Sequence, residues 1–231
     1  MARPHRLNCV GLPRHVMARG NGRMKIFVDD VDRRKFFILL NEMVDIFEVD
    51  CLDFCLMHTH YHLCVSNPKP NLSDAFHYVN GSYAFWWNAR HRHVGHVFQG
   101  RFKDQVVQRD SYLTTLIRYI ALNPVRAGLV RDPADWPWSG YRALAGLAPA
   151  PPFLRTECVL PLFGDGPERQ HENYIRHVCQ PSAALDVESE RFRSRERVVG
   201  DRAFKRSVLH PPRTDSVPSD TESLEGLAAM V

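Results

Sequence analysis

His58-Thr59-His60-Tyr61-His62-Leu63-Cys64-Val65 places a histidine at every second position and, between them and beyond, mostly apolar residues. Successive side chains of a strand point to opposite faces, so this pattern predicts a half-buried β-strand with three histidines on its polar side. The apolar run Cys51 to Met57 precedes it and reads as a neighbouring strand. Upstream, Phe36, Phe37, Leu39, Leu40, Met43, Val44 and Phe47 recur at three-to-four spacing between Val31 and Phe47, which predicts a helix with one face turned inward. His15 to Arg19 alternates as a short strand, and Gly20-Asn21-Gly22-Arg23 supplies a tight turn after it. Downstream, Asn67-Pro68-Lys69-Pro70 makes a turn. Asn71 or Ser73 then caps a second helix through Tyr78, Tyr83 and Trp87, ending near Asn88. Phe98 to Val107 reads as the next strand. Asp110 or Ser111 caps a third helix through Leu113, Leu116, Ile117, Tyr119 and Ile120, which Pro124 closes. The order strand, helix, strand, strand, helix, strand, helix predicts an α+β fold, a ferredoxin-like split βαβ antiparallel sheet with helices on one face.

The chain has 231 residues, 44% of them apolar and 24% charged, enough for one ordinary core with a small appendage. Its apolar runs are far shorter than the roughly 20 residues a membrane-spanning helix needs, and the basic N-terminus lacks the apolar stretch of an export signal. The expectation is a cytoplasmic protein with no membrane partner. The six cysteines form no C-x-x-C pair, which argues against a zinc knuckle or a disulfide framework. A net charge of +4 leans only mildly towards anionic partners. Residues 1–150 are read as the catalytic domain, with the proline-rich Ala148 to Pro152 as connector. Residues 151–180 form a short helical appendage built on a helix from Glu168 to Val178. Residues 181–231, polar and poor in aromatics, form a largely disordered tail.

Neighbouring histidines on one strand face can offer imidazole nitrogens to a single divalent ion. Tyr119 and Asn123 lie four residues apart, hence one turn apart on one face of the third helix. A phenol ionises near pH 10 and is a poor nucleophile unless a cation stabilises the phenolate or the charge developing on its target. A cation on His60, His62 and Asn123 beside the Tyr119 hydroxyl therefore suits attack on a phosphodiester. Such attack expels a 3′-hydroxyl and leaves a 5′-phosphotyrosine. That ester retains roughly the energy of the bond it replaced, so a second 3′-hydroxyl can reseal the strand.

Five segments carry a family resemblance. They are His15-Val16-Met17-Ala18-Arg19-Gly20-Asn21-Gly22-Arg23, Leu56 to Val65, Gly95 to Lys103, Arg118-Tyr119-Ile120-Ala121-Leu122-Asn123-Pro124-Val125-Arg126-Ala127-Gly128, and Trp136-Pro137-Trp138-Ser139-Gly140-Tyr141. In this order they resemble the signatures of the single-tyrosine HUH transposases, and among them the REP-associated tyrosine transposases, over roughly residues 11 to 145. The resemblance implies an HUH endonuclease core with His60-Tyr61-His62 as the HUH motif, Tyr119 as nucleophile and Asn123 as third metal-side residue. It also implies Mg2+ or Mn2+, and single-stranded DNA as partner, a repeat-derived hairpin with a recognised flank. In one place the chain departs from the pattern: His58-Thr59 stands where the family usually has Pro-Asn. His58 is then a spectator on the polar face or an extra ligand, and three histidines keep zinc open.

For gripping DNA, Arg101 and Lys103 flank an inward-turning Phe102, Arg19 and Arg23 flank the glycine turn, and Arg126 follows the Asn123-Pro124 break. Phe85 to His93 interleaves aromatic and basic residues, of which at most one ring is expected to serve as a base platform. Two other readings compete: a hairpin-binding protein without turnover, and a zinc hydrolase using His58, His60 and His62. The chain is compatible with a monomer or a homodimer.

Overall fold

The computed structural model describes residue 7 and residues 9–109, 111–194 and 196–210. The elements in chain order are β1 (Arg14–Arg19), α1 (Asp30–Phe47), β2 (Asp50–Leu56), β3 (His60–Ser66), α2 (Leu72–His91), β4 (Lys103–Val107), α3 (Ser111–Ala121), α4 (Asn123–Arg126), α5 (Tyr141–Leu144), α6 (Pro167–Cys179), α7 (Ala183–Ser189), β5 (Val198–Val199) and α8 (Arg202–Leu209). The sheet order is β2-β3-β1-β4-β5. Strands β2, β3, β1 and β4 are antiparallel neighbours, as the ferredoxin-like plan requires, and β5 adds a parallel pair at the β4 edge.

Alternation along each strand divides the core in two. Val16 and Ala18 of β1 with Tyr61, Leu63 and Val65 of β3 face α1 and α2, where Phe36, Leu40, Phe76, Val79 and Tyr83 complete one apolar layer. Helix α1 begins where Asp29 accepts hydrogen bonds from the Val31 and Asp32 backbone N–H groups while Asp32 reciprocates, a capping box that satisfies otherwise orphaned donors. The opposite face of the sheet, with Cys55, Cys64 and Val107, is covered by α3 and α6 through Leu116, Ile117, Ile120, Tyr174 and Val178. Helices α1 and α2 thus share one face as expected, and the sheet is flanked on its second face as well.

The element bounds differ from expectation in informative ways. Strand β3 starts at His60 rather than His58, because the carbonyl of His58 turns away to accept from the N–H groups of Ile26 and Phe27. Strand β4 starts at Lys103 rather than Phe98, since Phe98 instead bridges Gly20 across the loop. Asn71 occupies the N-cap of α2, yet its side chain donates to the Phe47 carbonyl at 2.7 Å and does not cap. The alternative cap on α3, Asp110, lies outside the described residues. The third helix is interrupted: α3 ends at Ala121 and Asn123 opens the short α4, because Pro124 has no N–H to continue the ladder.

Residues 183–209, expected to belong to a largely disordered tail, form α7, β5 and α8. The physical reason is a few apolar side chains within a polar segment: Phe192, Val198 and Val199 are each at most 3% exposed and join the second core layer or the sheet edge. Residues 211–231 lie outside the described part. The connector at Ala148 to Pro152 leads straight into Phe153, which is buried with its ring 5.0 Å from Phe37 and 5.2 Å from Phe54.

Candidate active site

The second face of the sheet brings His60, His62 and Tyr119 together. Because β1 is paired between β3 and β4, His15 lies opposite Cys64 and Gln105, His62 opposite Met17, and Arg19 opposite His60. Odd positions of β1 and even positions of β3 therefore project to the same side, where α3 crosses and delivers Tyr119. The ring of His62 is 5.0 Å from His60, 5.0 Å from His15 and 5.6 Å from Tyr119, centroid to centroid.

All three imidazoles are held in the neutral form by their setting. Burial, with a smaller push from the nearby Arg19 charge, brings His60 down to about 4. Burial likewise brings His15 down to about 4, against a small opposing effect of its hydrogen bond to Gln105. His62 is likewise held well below its ordinary value by burial, with smaller contributions from His15, His60 and Arg19. Neutral imidazoles are what a divalent cation requires. In His60 the Nδ1 meets the Thr59 hydroxyl at 3.0 Å, and in His62 the Nδ1 meets His15 Nε2 at 2.8 Å. Each motif histidine thus has Nδ1 engaged and Nε2 as its remaining nitrogen, a donor set that fits a cation.

Tyr119 is only 4% exposed. Phe192 lies 5.5 Å from its ring, His15 lies edge-on at 5.6 Å, and the Arg126 guanidinium sits 5.3 Å from the ring centre. Burial pushes the phenol above its ordinary range, while the charge and hydrogen bond of Arg193 and the charge of Arg126 work in the opposite direction. The Asn123 amide donates to the Tyr119 carbonyl at 2.8 Å, replacing the ladder bond lost at the helix break. Its NH2 is thereby committed, and Oδ1 is the atom it has for a cation.

His58 stands apart from the pair. Its Nδ1 accepts from Arg33 Nη2 at 3.0 Å, a bond of fixed polarity because a guanidinium only donates. Arg33 is itself buried between the Trp136 and Trp138 rings, 5.7 and 5.4 Å from their centres. The expectation of three histidines sharing one strand face is corrected accordingly. Among the described residues no group of three or more His, Cys, Asp or Glu side chains is gathered to hold a metal, so the zinc arrangement of His58, His60 and His62 is not assembled.

The basic residues divide into two kinds. Arg19, Arg23, Arg101 and Lys103 are exposed, the last two on either side of buried Phe102. Arg23 takes a left-handed conformation with φ 63° after Gly22 with φ 56°, whereas Gly20 is extended. Arg126 is instead half-buried, paired with Asp186 at 3.3 Å and reaching the Tyr119 carbonyl at 3.5 Å. In the aromatic run, Trp87 is buried against His91 and His93, Trp86 lies under Arg90, and only Phe85 is fully offered to solvent, at 81% exposure. Arg90 and His91 are partly committed to buried Asp32, at 2.5 and 2.9 Å.

Sequence reasoning missed four neighbours of Tyr119 and the motif histidines: His15, Gln105, Phe192 and Arg193. Alternation along β1 and β4 held the signal for the first two, since His15 and Gln105 sit on the faces opposite Val16 and Val106. Nothing local marks Phe192 or Arg193, which arrive from the distant polar segment.

A sheet of this order, with a histidine pair on an inner strand and a helix-borne tyrosine packed over the same face, is an HUH-type α+β fold. Residues 9–123 match the family model described as "Transposase IS200 like", and the chain belongs to this family of transposases. A search of curated proteins finds no match. Among solved structures, the chain is similar to a REP-associated tyrosine transposase bound to a REP hairpin, with a TM-score of 0.56 and 16% identity over 64% of this chain and 89% of that one. It also matches a crystal structure of a candidate transposase from Deinococcus radiodurans R1, with a TM-score of 0.37 and 15% identity over 55% of this chain and 92% of that one. Among the described residues no helix is long and apolar enough to cross a membrane.

Proposed function

We propose that the chain cleaves and rejoins single-stranded DNA beside a repeat-derived hairpin, in the manner of a REP-associated tyrosine transposase. Tyr119 serves as nucleophile, and His60, His62 and Asn123 hold Mg2+ or Mn2+. The observation that carries this reading is the convergence of Tyr119 with the neutral His60-His62 pair, 5.6 Å between the rings of Tyr119 and His62. The bound cation would supply charge neutralisation at the scissile phosphate.

This chain's own residues do the rest. The phenol oxygen of Tyr119 forms a bond to phosphorus as the 3′-oxygen leaves, giving a 5′-phosphotyrosine and a 3′-hydroxyl. A 3′-hydroxyl later attacks the same phosphorus and releases the tyrosine, restoring the strand. Arg193 and Arg126 favour the phenolate that attacks and leaves. Phe192 packs against the ring and helps to hold it beside the histidine pair. Arg19, next to His60 in the register, and Arg23, Arg101 and Lys103 are the side chains assigned to phosphates of the incoming strand. The fold shared with the hairpin-bound transposase supports a hairpin as the partner.

The test is incubation with Mn2+ and labelled single-stranded hairpins carrying their native flanks, followed by denaturing electrophoresis. A protein–DNA band that withstands denaturant, and that disappears in Tyr119→Phe, in His60→Ala and on chelation, is the expected result. Tight hairpin binding with no adduct under any condition favours a binding protein without turnover, and cleavage that survives Tyr119→Phe refutes the nucleophile.

A further inference from the structure

Gln105, His15 and His62 form a buried hydrogen-bonded row whose polarity can be worked out from one end. The Gln105 Nε2 lies 3.2 Å from the Arg191 carbonyl oxygen and 2.9 Å from that of Glu196. Both partners are pure acceptors, so this atom must be the amide NH2 and the other must be the oxygen. That oxygen faces His15 Nδ1 at 3.1 Å, which places a hydrogen on Nδ1. A neutral imidazole carries one ring hydrogen, so His15 Nε2 is bare and can only accept. Its partner at 2.8 Å is His62 Nδ1, which must donate. The hydrogen of His62 is then on Nδ1, and the lone pair is on Nε2.

We propose that Gln105 and His15 are positioning residues that fix His62 as its Nδ1-protonated tautomer and so present the Nε2 lone pair to the divalent cation. This rests on the reading of His60 and His62 as cation ligands. The neighbouring Thr59 hydroxyl can donate or accept, so it imposes no such choice on His60. The anchor of the row is the C-terminal segment: the carbonyls of Arg191 and Glu196 orient the Gln105 amide, and Phe192 packs 5.8 Å from the His15 ring. A stretch distant in sequence thereby sets the chemistry of a histidine on β3. Outer hydrogen bonds of this kind typically change metal affinity by about 10- to 100-fold.

Two readouts test the proposal without relying on activity. The first is a long-range 1H–15N correlation spectrum of the full-length, metal-free protein labelled in histidine, which distinguishes protonated from bare ring nitrogens. His62 with hydrogen on Nδ1 is expected, and hydrogen on Nε2 overturns the proposal. The second is Mn2+ affinity without DNA, from the spin-resonance signal of free Mn2+. His15→Phe keeps a flat aromatic ring and removes both ring nitrogens, the acceptor towards His62 included, and should weaken binding by about 10- to 100-fold. His15→Gln restores an acceptor towards His62 and a donor towards Gln105, and should recover much of that loss. Equal affinity of His15→Phe and wild type overturns the proposal, as does failure of a folded His15→Gln to improve on His15→Phe. If His15→Phe does not fold, Gln105→Met serves instead: a mixture of His62 tautomers supports the row, and an unchanged single tautomer overturns it. A wild-type His62 protonated on Nδ1 that binds no Mn2+ supports the row while refuting the cation reading itself.

Discussion

Phe192 is the residue by which the polar C-terminal segment is tied to Tyr119 and His15, and Phe192→Ala measures that tie. The ring is 1% exposed and packs against Tyr119 at 5.5 Å and His15 at 5.8 Å. Burying a whole aromatic side chain removes roughly 150 to 250 Å2 from water, worth about 4 to 6 kcal/mol as an upper bound. Truncations of this kind in cores lose about 3 to 5 kcal/mol. The expected outcome of urea unfolding followed by tryptophan fluorescence is therefore a loss of about 3 kcal/mol or more, if the segment unfolds together with the domain. Two further signals should accompany it. Limited trypsin digestion should cut faster at Arg191, Arg193 and Arg202. The Tyr119 phenol, now held high by burial, should ionise at lower pH, read as the absorbance difference from the same variant carrying Tyr119→Phe. A loss below about 1 kcal/mol with unchanged digestion would refute the claim that Phe192 is a core residue.

Arg19→Glu reverses an exposed charge beside His60, so single-strand binding should weaken and its dependence on salt become shallower by about one unit of logarithmic slope, measured by fluorescence anisotropy over a salt series. Gly140→Ala should destabilise by about 1 to 3 kcal/mol, because the new Cβ would overlap the buried Asp53 carboxylate, and an unchanged urea midpoint would contradict that. His177, held below its ordinary value by burial, donates from Nε2 to the Thr114 carbonyl. Its unfolded form takes up a proton more readily than its folded form, so its share of stability is present above about pH 6.5 and is lost as pH falls below that. His177→Gln should flatten the urea midpoint between pH 7 and pH 5, and an equally steep fall in both proteins would count against it.

Much of this protein was legible in local patterns. Alternation from His60 to Val65 placed the histidine pair on a strand, and helical spacing from Phe36 to Phe47 placed α1, because periods of two and 3.6 are set by backbone geometry alone. The four-residue interval from Tyr119 to Asn123 put both in one turn, and the structure keeps them in contact through the Asn123 amide although Pro124 splits the helix. The quoted segments also sufficed to recognise the transposase family. His58 shows the limit of the same logic: alternation put it with His60 and His62, but its side chain bonds to Arg33 from α1, a partner 25 residues away that no local period reveals.

What only the tertiary structure decided are the relations between distant stretches. The sheet order put β1 between β3 and β4, and this alone brought His15 to His62 and to Gln105, partners 47 and 90 positions away. Phe192 folded onto Tyr119 from a segment whose composition reads as a solvated tail, since one buried ring and two valines on an edge strand outweigh its polar average. Backbone propensity and side-chain period act over a few residues and are written in the order of the chain. Burial and hydrogen-bond satisfaction act through space, so the second face of the sheet acquired the surroundings of Tyr119 only once the whole chain was packed.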